Sequence, residues 1–280
     1  MLTRILTSIL LLVIVIPIVV YGGVIGAGIM FAVMSAFCIY EMLTCCGLIK
    51  KFYVSLPSII VSAACVLLPI LFKKRIMLAV ATLFAAIPIC LIFFLFVGVV
   101  KHKVINIERL MMFFTLAIYI TAGFTALSVL NILRPVFGLW SVIFVFAVSW
   151  CTDTFAYFGG MLFGKRKLCP DISPKKTVAG AVVGTLFGTL AGVVVFWIAH
   201  GSPLIGLIAL PFSIVSQFGD LSASIIKRYF GVKDYGKLFP GHGGMLDRFD
   251  SIIPTSIVST ITLISMVIIY NYLKSGMLGF

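Results

Sequence analysis

Only eight carboxylates are present, Glu41, Glu108, Asp153, Asp171, Asp220, Asp234, Asp247 and Asp250, and six of them fall between residues 153 and 250. Several lie in or beside long apolar runs. A carboxylate at membrane depth costs about 2.5–3.5 kcal/mol on insertion scales, so an acid kept there is by default a functional candidate. Basic residues crowd the same region: Lys165, Arg166, Lys167, Lys175 and Lys176 in one stretch, and Lys227, Arg228, Lys233, Lys237 and Arg248 in the next. Acids from separate segments beneath basic loops can hold a divalent cation, since Mg²⁺ takes one or two carboxylates plus substrate phosphates. The basic residues suit a polyphosphate, with lysine as a point charge and arginine as a bidentate clamp, and suit contact with anionic lipid headgroups about as well.

Three local spacings sharpen this. Asp220, Ser224 and Lys227 stand at i, i+4 and i+7, which puts them on one face of a continuing helix. Asp247 and Asp250 stand at i, i+3 and open an apolar run, so they share a face at the water boundary. Asp153 and Tyr157 stand at i, i+4 near the end of another run. On spacing alone, structural ion pairs with Arg228, Lys233 or Arg248 explain these acids as well as a metal site does. The run Pro240-Gly241-His242-Gly243-Gly244 is a turn whose backbone N–H groups can approach a phosphate closely. Gly164-Lys165-Arg166-Lys167 lacks the leading glycine and following Ser/Thr of a Walker A loop. The seven cysteines fit neither a zinc spacing nor a C-x-x-C motif and read as small buried hydrophobes.

The elements that must position these residues are membrane spans. Of 280 residues, 62% are hydrophobic and 10% charged, against roughly 45–50% and about 25% in soluble domains. The mean hydropathy is +1.26. No soluble globule of this size has enough polar surface at that composition. A soluble enzyme, a secreted disulfide scaffold and a nucleic-acid-binding domain are excluded. The net charge of +13 then reflects topology and anionic headgroups, not nucleic acid. The expectation is an all-α, polytopic transmembrane helical bundle of about nine spans, roughly 5–21, 24–40, 54–72, 76–100, 111–131, 137–160, 178–199, 204–226 and 251–272. The first run has no convincing signal-cleavage site and is expected to be a retained span.

Under this scheme sixteen Lys and Arg residues lie on the side of the N-terminus and the two long basic loops, against five on the other. That puts the basic loops in the cytoplasm of a cell (inner) membrane, with the Lys73–Arg75 cluster dissenting. Residues 1–135 are expected to supply anchoring and packing, and 136–280 the catalytic region. Gly180, Gly184, Gly188 and Gly192 recur every fourth residue, a face for close backbone approach. Its partner is either another span or a second copy in a homodimer.

The motif residues carry a resemblance. Ser224-Ile225-Ile226-Lys227-Arg228, then Lys233-Asp234-Tyr235-Gly236, then Pro240 through Ser251 (PGHGGMLDRFDS) resemble the signature of phosphatidate cytidylyltransferases, or CDP-diacylglycerol synthases. Gly219-Asp220-Leu221, Asp153-Thr154-Phe155-Ala156-Tyr157 and Ser173-Pro174-Lys175-Lys176-Thr177 are similar to the same family, and Glu41 stands where it commonly has an acid. The likeness is specific over about 150–251. It implies transfer of CMP from CTP to phosphatidic acid, giving CDP-diacylglycerol and pyrophosphate, with Mg²⁺ required. It implies Asp220 and Asp247 as metal ligands. Lys227, Arg228, Lys233, Asp234, His242, Arg248 and Asp250 would be catalytic, and Asp153, Ser173, Lys175, Lys176, Thr177 and Ser224 would bind substrate. Two family acids are absent: Ala179 follows the S-P-K-K-T run, and Ala223 stands between Ser222 and Ser224. Rival readings are another CTP-using lipid enzyme, such as a polyprenol kinase or an ether-lipid cytidylyltransferase, and a transporter. A kinase releases CDP instead of pyrophosphate. A transporter would place its acids near the midplane and often shows internal repeats, and no repeat is seen here.

Overall fold

A computed structural model describes residue 15 and residues 17–73, 75–133, 139–239 and 243–277. The elements, in chain order, are helices α1 (Gly23–Cys45), α2 (Phe52–Leu71), α3 (Ile76–Val100), α4 (Ile107–Ile132) and α5 (Trp140–Phe163), then strands β1 (Lys167–Cys169) and β2 (Ser173–Thr177). Next come α6 (Val178–His200), a 3-10 turn (Pro203–Ile208), α7 (Ala209–Tyr229), the single turn α8 (Leu246–Phe249) and α9 (Ile252–Met277). Among the described residues, eight helical segments are long and apolar enough to cross a membrane. They match the second to ninth expected spans. The first expected span, 5–21, lies mostly outside the described residues. The protein is an all-α, multi-pass membrane protein.

Each helix starts and stops for local reasons. Asn106 caps α4, its side-chain oxygen accepting the Glu108 N–H at 2.8 Å. Thr177 caps α6 in the same way through the Gly180 N–H. Gly201, with φ +66°, closes the far end of α6 in the left-handed conformation. Pro57 and Pro69 lie inside α2 and Pro88 inside α3, positions that neighbouring helices make tolerable in a membrane.

The glycine stripe packs within the chain. A Cβ at Gly180 would come 2.5 Å from the Ala156 carbonyl oxygen, and one at Gly184 2.7 Å from that of Thr152, both on α5. Gly188 abuts Thr152 and Ser213, and Gly192 abuts Ala209 and Phe144. Of the two partners left open by the sequence, another span is the one found, and α5 and the start of α7 fill this face. Hydroxyls tie the same three helices: Thr152 to Ser213 at 2.7 Å, and the Gln217 side-chain amide to the Thr185 hydroxyl at 2.8 Å.

A second seam joins α9 to α4. The Ser256 hydroxyl donates to the Gly123 carbonyl and that of Thr260 to the Ala126 carbonyl. Gly123 lets the backbone of Ile253 approach, because a Cβ there would lie 3.0 Å from the Ile253 Cα. Phe124 packs on Phe249 with ring centroids 5.2 Å apart. The start of α9 is therefore level with a point well inside α4. The expectation that Asp247 and Asp250 stand at the water boundary is corrected: the chain from Gly243 to Ser251 lies within the bundle, and these two acids are recessed below the helix ends. A chain of hydroxyls, Ser35 to Ser62 at 2.6 Å and Ser62 to Thr121 at 2.9 Å, links α1, α2 and α4 beneath them.

The basic stretch 164–177 is an antiparallel hairpin, β1 against β2, with Lys167 opposite Thr177. Its charge and proline predict a loop, and the structure pairs it instead.

Candidate active site

Three segments converge at the recessed end of the bundle: the last turn of α1, the C-terminal half of α7, and the return from Gly231 to Ser251. Glu41 on α1 is 5% exposed. Its Oε1 accepts the Met245 N–H and its Oε2 the Leu246 N–H, both at 2.8 Å. A Cβ on either Gly236 or Gly244 would collide with this carboxylate. Glu41 thus fastens the far end of the glycine-containing return and packs against Gly236 near its start. Its role in holding this segment was missed at the sequence level, because a single acid two hundred residues upstream gives no spacing to read.

Asp247 is buried at the centre. Its Oδ2 accepts the N–H groups of Tyr235, at 2.8 Å, and Gly244, at 2.9 Å. Its Oδ1 accepts Lys227 Nζ at 2.8 Å. Gly243 supplies φ +83°, which L side chains rarely adopt, and a Cβ there would also lie 2.8 Å from Asp247 Oδ2. Tyr235 donates its hydroxyl to the Ala223 carbonyl at 3.0 Å, and Lys227 Nζ stands 5.2 Å from its ring centroid. Burial pushes the Tyr235 hydroxyl far above its ordinary value, so it stays a neutral donor. Ala223, at one of the positions where the family often has an acid, is buried beneath this tyrosine.

Asp220, on the same helix as Lys227, is bound by Lys176 Nζ from β2 at 2.6 Å. Asp153 on α5 accepts the Ser251 hydroxyl at 2.7 Å through Oδ2. Asp250 accepts the Ser251 N–H at 2.9 Å. Enclosure in the bundle, followed by the fields of Asp220 and Asp153, pushes the Asp250 carboxyl well above the usual carboxylate range, with Lys227 opposing. Asp153, Asp220 and Asp250 thus stand near enough for their charges to act on one another.

Other site candidates take different positions. Ser173, Ser224 and Lys176 are half-buried, and Thr177 is buried with its oxygen on the Gly180 N–H. Lys175, Arg228, Lys233, Asp234 and Arg248 are exposed around the return and the hairpin. His242 lies outside the described residues. Among the described residues no three His, Cys, Asp or Glu groups form a cluster able to hold a metal ion alone. Mg²⁺ makes a lesser demand, one or two carboxylates with water and substrate phosphates completing the octahedron. Asp220 and Asp247 are carboxylates that could meet it once their lysines turn to incoming phosphate, Asp247 also accepting two backbone N–H groups.

Comparison with known proteins gives the same direction. A model of the cytidylyltransferase family matches residues 2–266. A phosphatidate cytidylyltransferase of Brucella abortus biovar 1 (strain 9-941) is 48% identical over 136 residues, 47% of this chain and 50% of that protein. In that match the chain spans about half the length of its relative. The proteins of the same name from Staphylococcus saprophyticus and Staphylococcus epidermidis (strain ATCC 35984) are 33% and 34% identical over 251 residues, 89% of this chain and 93% of each relative. With the family model covering nearly all of its spans and its acids gathered under basic loops, this chain belongs to the cytidylyltransferase family.

Proposed function

We propose that the chain is a phosphatidate cytidylyltransferase, transferring CMP from CTP to phosphatidic acid to give CDP-diacylglycerol and pyrophosphate. The observation that carries the reading is the recessed site itself: Asp220 and Asp247, each neutralised by a lysine, beside Asp153 and Asp250 in a membrane bundle of this family. The names of the relatives support the choice of lipid.

An oxygen of the phosphatidate monoester attacks the α-phosphorus of CTP in line. A new P–O bond forms, the bond to the oxygen bridging to the β-phosphorus breaks, and pyrophosphate leaves with that oxygen. A phosphate monoester, with a second pKa of about 6, is already largely dianionic at pH 7 and needs no dedicated base. The work left for the protein is charge and position. Lys176 and Lys227 stand on carboxylates at the site centre and can pass to incoming phosphate oxygens, which carry the same sign of charge. Lys175, Arg228, Lys233 and Arg248 surround them and neutralise the triphosphate and the lipid phosphate. Asp234, His242 and Asp250 complete the proposed catalytic set, and Asp153, Ser173, Thr177 and Ser224 complete the substrate-binding one. Mg²⁺, held by Asp220 and Asp247, would supply Lewis-acid stabilisation of the phosphoryl oxygens.

The excess of sixteen basic residues over five supports a cytoplasmic site in a cell (inner) membrane, where CTP is met while the acyl tails stay in lipid. Spans within 1–135 anchor and pack, with Glu41 reaching into the catalytic region formed by 136–280. The test is the fate of label from CTP incubated with phosphatidate and the protein in detergent. Label on the α-phosphorus should enter the lipid and label on the γ-phosphorus should leave as pyrophosphate. Transfer of the γ-label to lipid would make the protein a lipid kinase instead.

A further inference from the structure

A cavity of about 360 Å³ opens between α2, α3, α4 and α9, outside the set of residues assigned above. Its walls are almost wholly apolar, with Cys65, Phe94, Ala122 and Ile257 among them. Ile257 follows Asp250 by seven residues, about 10 Å along a helix. On α9 the cavity wall thus starts about 10 Å beyond Asp250, within the span Ile252–Ile269. Walls of this composition suit a hydrocarbon chain.

We propose that this cavity receives one acyl chain of the phosphatidate whose phosphate lies at the acids, so that it reads tail length and shape. The assignment rests on the proposed reaction. Moving a tail from bilayer to cavity exchanges one hydrocarbon environment for another and gains little hydrophobic free energy. Selectivity must therefore come from packing, and bulk added to the cavity should be felt by long tails alone.

Ala122 is exposed towards the cavity and Ala86 lines it from α3, whereas Ala85 is exposed on α3 but does not line it. The experiment compares Ala122→Phe, Ala86→Phe and Ala85→Phe with the unsubstituted protein, on dioleoyl-phosphatidate and on dihexanoyl-phosphatidate, whose six-carbon tails are a third as long. Filling the cavity should lower kcat/KM for the dioleoyl lipid about tenfold or more, in the range that one methylene can command in a tight pocket. The dihexanoyl lipid should stay within about twofold, and Ala85→Phe should change neither. Equal losses on both lipids, or no loss from either cavity variant, would overturn the assignment. Should one cavity variant fail to fold, the other, from the opposite wall, decides. Failure of the unsubstituted protein to turn over either lipid would instead count against the proposed reaction.

Discussion

Glu41 and Leu246 are 205 residues apart in the chain, yet Glu41 Oε2 accepts the Leu246 N–H at 2.8 Å, and Oε1 does the same for Met245. One carboxylate on α1 thereby fixes the segment that carries Asp247. Replacing it by Glu41→Gln turns one acceptor into a donor facing an N–H, and an unpaired buried N–H costs about 1–3 kcal/mol. The expected result is a fall in kcat of about tenfold or more, since about 1.4 kcal/mol is tenfold in rate. Gly244→Ala should do the same by pushing on the same carboxylate. Gly231→Ala is the control: φ is +68° but nothing lies within 4 Å, so it should cost about 1–2 kcal/mol of stability and spare the rate. Initial rates beside thermal unfolding in detergent check all three.

The two ion pairs of the site should respond differently to loss of their lysines. Lys227 and Asp247 are buried, with side chains 12% and 4% exposed. Lys227→Met leaves a buried charge uncompensated and should destabilise the fold by about 3–5 kcal/mol, visible as a lowered Tm. Lys176 and Asp220 are 26% and 31% exposed, so Lys176→Met should shift stability by no more than about 1 kcal/mol. Both variants should lose pyrophosphate release.

The glycine face of α6 predicts a contrast between two Gly→Ala changes. At Gly184 the added methyl would meet the Thr152 carbonyl oxygen at 2.7 Å, whereas at Gly26 on α1 nothing lies within 4 Å. Gly184→Ala should cost about 1–3 kcal/mol through overpacking, and Gly26→Ala should be neutral or stabilising. Tm values of the two purified variants, in the same detergent, provide the comparison.

Cys46, just beyond α1, is buried, and burial pushes its thiol up to about 12, with Cys45 adding and Arg109 opposing. The thiolate is the reactive form, so raising the pH from 7 to 9 should leave Cys46 almost unlabelled by a maleimide. Half-buried Cys169 on the hairpin should label first. Peptide mapping after timed labelling reads the order.

The bundle was legible in the sequence because apolar runs bounded by charge are a strong, local signal: the spans around 76–100 and 178–199 match α3 and α6 within a residue or two. The cluster of Asp153, Asp220, Asp247 and Asp250 was legible as a set, since acids are rare and costly in such a chain. Its depth was not, because the placement of 243–251 within the bundle depends on Glu41 and Gly123, two residues with no periodic signature. The hairpin at 167–177 escaped for a related reason. Ser173-Pro174-Lys175-Lys176-Thr177 has the charge and proline of a loop, and it pairs only with the three-residue strand Lys167–Cys169.

The central claim is tested most directly by pyrophosphate release from CTP by the purified protein, with phosphatidate and Mg²⁺ each present or omitted, and with Asp247→Asn in parallel. The account predicts release that requires CTP, phosphatidate and Mg²⁺ together and that disappears in a folded Asp247→Asn protein. Release without phosphatidate, or undiminished release from Asp247→Asn, would contradict it.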